Sequence, residues 1–322
     1  MLISLFFVPH QYASGQDSPS REELKKIYES LPDTLGTGPF PAFKTTLPSF
    51  PGFTLYLPEK YKSLPDRSLG IYIFGNGACI ADGAMARLHL LEIASHGYVA
   101  IAPGGIHSGP GASARSRPVA PEKDENQQYP PPETKWQDLS NAMDLLFTSN
   151  NTPDSDLYHK LDTRRVTVSG WSCGGLQAIL ASSDPRVTAT VIMNSGIYND
   201  ETGNIRSFRV SKDKLADLHA PVLYILGGPT DIAYPNGMDD FRRLQHIPAI
   251  VANLNVGHLG TFWQENGGAA AKLVVEWMDW KFQYPEWTSK KFLKKGCQIC
   301  IAVPWEFNIN NMEQVNGQQN RE

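Results

Sequence analysis

From about residue 70 onward, short runs of apolar residues alternate with longer stretches in which apolar positions recur every three or four residues. Gly70-Ile71-Tyr72-Ile73-Phe74 reads as a buried strand ended by Gly75-Asn76-Gly77. Residues 84–95, with Leu88, Leu91 and Ile93 on the inward face, read as a helix closed by Gly97. The next strand spans 98–102, and the Gly-, Pro- and Ser-rich stretch 103–132 predicts a long surface loop of the kind that often borders a site. The rhythm resumes with a helix over 136–147, a strand at 165–168 and a helix at 176–182. Strands follow at 188–193, 222–226 and 250–254, then an amphipathic helix at 268–282. Alternation of this kind builds a mainly parallel sheet covered by helices, an α/β fold. It divides the chain into an N-terminal segment (1–39), a central α/β domain (40–285) and a tail (286–322).

Composition changes this picture little. With 322 residues, 41% hydrophobic and 19% charged, the chain has ordinary globular figures. Its net charge of -4 argues against nucleic acid or an acidic membrane surface as partner. No run approaches the roughly 18 apolar residues of a membrane span. Leu2-Ile3-Ser4-Leu5-Phe6-Phe7-Val8 reads as a partial signal peptide ending near Ala13-Ser14-Gly15, without the usual preceding basic residues.

Candidate chemistry begins at Gly170-Trp171-Ser172-Cys173-Gly174, a G-x-S-x-G pattern between a predicted strand and a predicted helix. Composition predicts on the order of 0.1 chance matches in a chain this long, and the strand-to-helix context adds weight. The alternative role for Ser172 is as an ordinary helix cap. A serine hydroxyl is a weak nucleophile until a base takes its proton, and the base needs a carboxylate to orient it. Asp231, in the loop after strand 222–226, and His258, in the loop after strand 250–254, follow Ser172 in the order this chemistry requires. Strand ends are where α/β sheets carry functional groups. His10, His89, His96, His107, His159, His219 and His246 lack that context and read as structural. Asp239 and Asp240 compete with Asp231 for the acid role, but they read as the N-terminal turn of a helix.

A tetrahedral intermediate needs backbone N–H groups aimed at its oxygen. Cys173 supplies one, and the turn Phe74-Gly75-Asn76-Gly77-Ala78-Cys79 a second, with Asn76 preferred over Gly77. Trp171, Tyr234, Phe262 and Trp263 read either as walls for an apolar or aromatic substrate group or as simple packing. Cys79 and Cys173 both fall at the expected oxyanion site, so they are either a disulfide or two buried thiols. Cys297 and Cys300 lack the partners of a tetrahedral zinc site, and no metal is expected.

These motifs make the chain resemble the α/β-hydrolase superfamily over roughly residues 40–285. The carriers are Phe74-Gly75-Asn76-Gly77, Gly170 to Gly175, Gly227 to Asp231 and Gly257-His258. Within it, the chain is similar to the lid-poor esterase branch with chlorophyllase-like and polyester-hydrolase-like enzymes. It also resembles secreted-type fungal hydrolases with a G-N-G-A-C turn and an S-C-G-G elbow. The resemblance implies a three-layer fold with a mostly parallel sheet of about eight strands, a Ser-Asp-His triad, no cofactor and a small-molecule ester substrate. It favours secretion over a cytoplasmic location. Phe74 departs from the histidine often found before that turn's glycine. The resulting expectation is a serine esterase acting through an acyl-enzyme on Ser172. The alternatives are a non-catalytic binder on the same fold and an acyltransferase using the same triad.

Overall fold

Six strands that are buried along their whole length set the frame: β2 (Phe53–Pro58), β3 (Leu69–Gly75), β4 (Tyr98–Pro103), β6 (Ala189–Met193), β7 (Val222–Leu226) and β8 (Ala249–Asn253). The structure is a computed structural model and describes residues 30–112, 125, 130–200, 202–205, 208–282 and 302–310. With β1 (Ala42–Thr45), β5 (Leu161–Trp171) and β9 (Glu306–Asn310) the strands form one nine-stranded sheet in the order β1-β2-β4-β3-β5-β6-β7-β8-β9. From β4 to β8 all pairings are parallel, and the edges β1/β2, β2/β4 and β8/β9 are antiparallel. The fold class is the expected α/β architecture, with β9 drawn from the segment read as a tail. The signal for β9 is the alternation of Phe307 and Ile309, which pack inward, with Glu306, Asn308 and Asn310. The N-terminal apolar run, Cys297 and Cys300 lie outside the described residues.

Strand alternation divides the interior into two layers. Ile71 and Ile73 of β3 join one core with α2 (Trp136–Asn151), α3 (Cys173–Ala181) and Phe241 of α4 (Tyr234–Arg243). Tyr72 and Phe74 join the other, with α1 (Arg87–Ser95) and α5 (Gly268–Phe282). No described helix is long and apolar enough to cross a membrane.

Every residue of α1 is buried, including Arg87, His89 and Glu92. Buried polar groups need partners. Here they come from the preceding chain, which lies over the helix: Arg87 donates to Asp33 Oδ1 at 3.0 Å and to the Leu31 carbonyl at 2.7 Å, and Glu92 accepts from the Thr37 N–H at 2.7 Å. The sheet order reverses around β3, whose neighbours β4 and β5 are reached by connections running in opposite directions. The crevice beyond the C-terminal ends of β3 and β5 is where such sheets bind ligands.

His89 faces the sheet, with Nε2 2.9 Å from the Tyr72 hydroxyl and its ring 5.4 Å from that of Phe262. Complete burial pushes its pKa down to about 3, so it stays neutral in the folded protein. A base with a depressed folded pKa costs stability wherever the unfolded chain takes up the proton, that is, as pH falls below about 6.5. Between pH 7.5 and pH 5, wild type should lose about 2 kcal/mol more stability than His89→Gln in paired urea titrations. Equal losses in the two proteins would remove this assignment.

Candidate active site

Strand β5 ends at Trp171, and α3 starts at Cys173, so Ser172 is the whole connection between them. It has φ 53° and ψ -119°, a conformation that costs a non-glycine residue about 1–3 kcal/mol and persists only where the surroundings impose it. They do so through backbone contacts. The Ser172 N–H donates to the Met193 carbonyl at 3.0 Å, and its own carbonyl accepts from the Ser195 hydroxyl at 2.6 Å. A Cβ at Gly174 would lie 2.1 Å from the Gly75 carbonyl oxygen, and one at Gly170 2.1 Å from that of Gly174. Only glycine lets β3, β5 and α3 come this close.

His258 and Asp231 reach Ser172 from the loops after β8 and β7. Ser172 Oγ is 2.9 Å from His258 Nε2, and His258 Nδ1 is 2.7 Å from Asp231 Oδ1. A carboxylate at Nδ1 assigns the imidazole proton to that nitrogen and leaves Nε2 to accept from the serine. Asp231 is buried, and burial alone would raise its pKa. Hydrogen bonds from His258 and from the Ala233 and Gly227 N–H groups outweigh that and hold it below the usual carboxylate value. The two loops fit against each other: the Gly257 N–H donates to the Gly227 carbonyl at 2.7 Å, and a Cβ at Gly227 would lie 2.0 Å from the Gly257 carbonyl oxygen. Trp171 Nε1 donates to the His258 carbonyl at 3.0 Å, tying the histidine loop to the residue before the serine.

Asn194 is a residue that sequence reasoning missed. It follows β6 with φ 44°, fully buried, and its Nδ2 donates to Asp231 Oδ2 at 3.0 Å and to the Gly257 carbonyl at 3.1 Å. Asn is among the residue types that tolerate a left-handed backbone, and its place just after a buried strand was the only available signal.

Asp239 and Asp240 lie in the second half of α4 rather than in its first turn. Asp239 pairs with Lys212 and Arg243 at 3.0 and 2.7 Å. Asp240 is fully buried; it accepts from Lys212 at 2.6 Å, from the Ile197 N–H at 2.8 Å and from Tyr224 at 3.2 Å. Burial, opposed by Lys212, raises its pKa to about 6. Its contact with Ile197 anchors the 194–198 loop.

That loop, with α3 and the start of α4, walls a cleft of about 420 Å³, part of it open to solvent. The lining is Ser172, Cys173, Leu176, Asn194, Ser195, Gly196, Tyr198, Ile205, Ile232, Ala233, Asn236 and His258. The aromatic residues expected to form its walls are elsewhere. Trp171 and Phe262 are fully enclosed with ring centroids 4.8 Å apart, in a column that continues to Phe74 and His89. Trp263 packs on the same core, and Tyr234 on the opposite one. The reason is direction: Trp171 ends a strand in which alternate residues face the α1/α5 layer, and its ring lies under Gly77, where a Cβ would meet it at 2.6 Å.

Asn76, the residue expected to offer a backbone N–H to the oxyanion, follows β3 directly. It has no exposed surface, and its side-chain amide donates to the Ile80 and Pro103 carbonyls at 2.9 and 2.7 Å, closing the turn after β3. The tight turn Gly77–Cys79 follows it, with Ala78 at φ 52° and Cys79 at φ 50°. Cys79 and Cys173 form a disulfide with their Cα atoms 5.3 Å apart. The Cys173 N–H, at the first position of α3, has no acceptor within its helix and carries the positive end of the helix dipole.

The chain is similar to known proteins over part of its length. A family described as PET hydrolase-like matches residues 91–211, a span that includes Ser172 and stops short of Asp231 and His258. A protein of Pyricularia oryzae called Hydrolase ORFZ is 32% identical over 143 residues, 44% of this chain. The match spans 30% of that protein's length.

The glycine contacts yield a stability test. Gly174→Ala forces a methyl group into the Gly75 backbone and should destabilise the protein by about 3 kcal/mol, read from urea denaturation. A loss below about 1 kcal/mol would mean that the two segments can separate without cost.

Proposed function

We propose that this chain is a serine hydrolase of the α/β-hydrolase superfamily that cleaves carboxylic esters through an acyl-enzyme on Ser172. The observation carrying this reading is the unbroken line of contacts from Ser172 Oγ through His258 to Asp231, at 2.9 and 2.7 Å, assembled from three separate strand ends. A packing role does not explain these features together: a strained backbone at the serine, a partly exposed imidazole and a buried carboxylate held ionised.

In this mechanism His258 Nε2 takes the Ser172 proton as Oγ attacks the acyl carbon. Asp231 holds the imidazole in the required tautomer and stabilises the imidazolium that forms. Backbone N–H groups of Cys173 and of the turn after β3 at Asn76 would hold the developing oxyanion, where preorganised donors contribute most. The protonated histidine then gives its proton to the leaving alcohol. Water attacks the acyl-enzyme by the same steps in reverse order, with His258 again the base.

The cleft walls favour a neutral substrate. Leu176, Tyr198, Ile205 and Ile232 are apolar or aromatic, and no Lys, Arg, Asp or Glu lines the cleft among the described residues. A small apolar or aromatic acyl or alcohol group suits this surface.

Ser172→Ala should lower kcat on a p-nitrophenyl ester about 10⁴-fold or more with little change in KM, and Asp231→Asn should lower it by a similar factor. A fluorophosphonate should label wild type at Ser172 and leave Ser172→Ala unlabelled. Folded Ser172→Ala with near-normal turnover would remove the proposal.

A further inference from the structure

The Cys79–Cys173 disulfide joins two backbone segments that the ester-cleavage chemistry needs in register. Cys173 directly follows Ser172, and Cys79 closes the turn after β3, 94 positions earlier in the chain. Both backbones are in conformations that seldom persist without external restraint: Ala78, Cys79 and Ser172 have φ of 52°, 50° and 53°, and none is glycine. The described hydrogen bonds of Asn76 and Cys79 run to Ile80 and Pro103 and to the Glu133 and Thr134 N–H groups. They tie the turn to the end of β4 and to Thr134, whose carbonyl accepts from Gln177 Nε2 of α3 at 2.7 Å. The disulfide crosses from the turn to the start of α3. Both cysteines are sealed from solvent, at 0% and 1% exposure, so the bond is a permanent internal staple rather than a surface link open to exchange.

We propose that this disulfide positions the oxyanion hole, holding the turn Gly77–Cys79 at a fixed spacing from the Cys173 N–H. The inference rests on the serine-hydrolase reading and adds to it a pair of positioning residues, Cys79 and Cys173. The physical reason is that oxyanion donors act by being in place before charge develops. The Gly75–Gly174 packing and the Gln177–Thr134 hydrogen bond bring the turn near α3, and the disulfide adds the covalent link at Cys79 and Cys173 themselves that fixes the final spacing. The triad has its own restraints at Asn194, Gly227 and Gly257, none of which touches the turn. Loss of the bond therefore weakens stabilisation of the transition state while leaving proton transfer in order.

The test compares wild type with the double variants Cys79→Ala/Cys173→Ala and Cys79→Ser/Cys173→Ser on p-nitrophenyl butyrate, with fluorophosphonate labelling in parallel. The expected result is a fall in kcat of about 10²-fold or more, the size seen when an oxyanion donor is lost. KM should stay within about threefold of wild type, because ground-state binding is untouched. Labelling should slow in step with kcat, and the pH inflection of kcat/KM should not move. Folded variants that keep wild-type kcat, or that lose stability alone, overturn the inference. So does a shifted pH inflection, which would place the effect in the triad.

Should neither variant fold, wild type is reduced while still folded with a water-soluble phosphine. The phosphine is oxidised to its oxide, and water supplies the oxygen and the two thiol protons. Mild urea below the unfolding transition gives the phosphine access, and reduction is scored by mass as alkylated Cys79 and Cys173. Activity lost in step with alkylation and before the near-ultraviolet circular dichroism supports the inference, whereas activity that survives in the alkylated protein, or falls only with that signal, overturns it. The two readings fail separately. A folded wild type that neither turns over ester nor labels at Ser172 removes the hydrolase itself, whereas equal activity in wild type and variants removes only the role of the bond.

Discussion

Backbone-to-backbone contact at the end of β3 and β5 is the constraint on which this protein depends. Gly75, Gly170 and Gly174 bring a strand end, a neighbouring strand end and a helix start to distances at which any side chain would collide. That contact puts the serine at the sheet's switch point, with the turn after β3 beginning beside Gly174. It also leaves the positive end of α3 directly after the serine. Substituting any one of these glycines pushes apart elements that the rest of the crevice is built on.

A second constraint is the buried carboxylate of Asp231. An ionised acid removed from water is costly unless its lone pairs are filled, and here four donors reach it: His258, Asn194, Gly227 N–H and Ala233 N–H. Asn194 spans the carboxylate and the Gly257 carbonyl, so the loops after β6, β7 and β8 are restrained by a single side chain. Asp240 does comparable work one layer out, where it fixes Ile197 and with it the wall of the cleft. The acid of the site and the wall of the cleft thus rest on separate buried carboxylates, one held ionised by its donors and one whose ionisation burial resists.

The central strands, the α/β class and the positions of Ser172, Asp231 and His258 at strand ends were legible because each carries a local signal: a run of β-branched and aromatic residues, a change of period, a glycine after a strand. The cleft walls carried none. Aromatic residues adjacent to the serine and histidine looked like substrate contacts, yet Trp171 and Phe262 point into the core because strand direction, not sequence proximity, decides which face a side chain takes. The residues that line the cleft, Tyr198, Ile205 and Ile232, belong to loops whose path no periodicity announces. Likewise the burial of α1 on all sides depends on residues 31–38 lying over it, a long-range contact invisible in the helix's own pattern.

By itself, the amino-acid order determined the central strands and the helices around them and which side chains stand at those strand ends, since these follow from short-range sterics and the alternation of apolar positions, whereas the edge strands β1, β2 and β9 were not read from it. Only the tertiary structure decided that the hydroxyl, imidazole and carboxylate meet, that Cys79 joins Cys173, that Asn76 closes a turn from inside, and that Asn194 gathers three loops. Each of these is a distance between residues far apart along the chain. Such distances are set by how the sheet twists and how closely glycine lets its layers approach, and no window of sequence contains them.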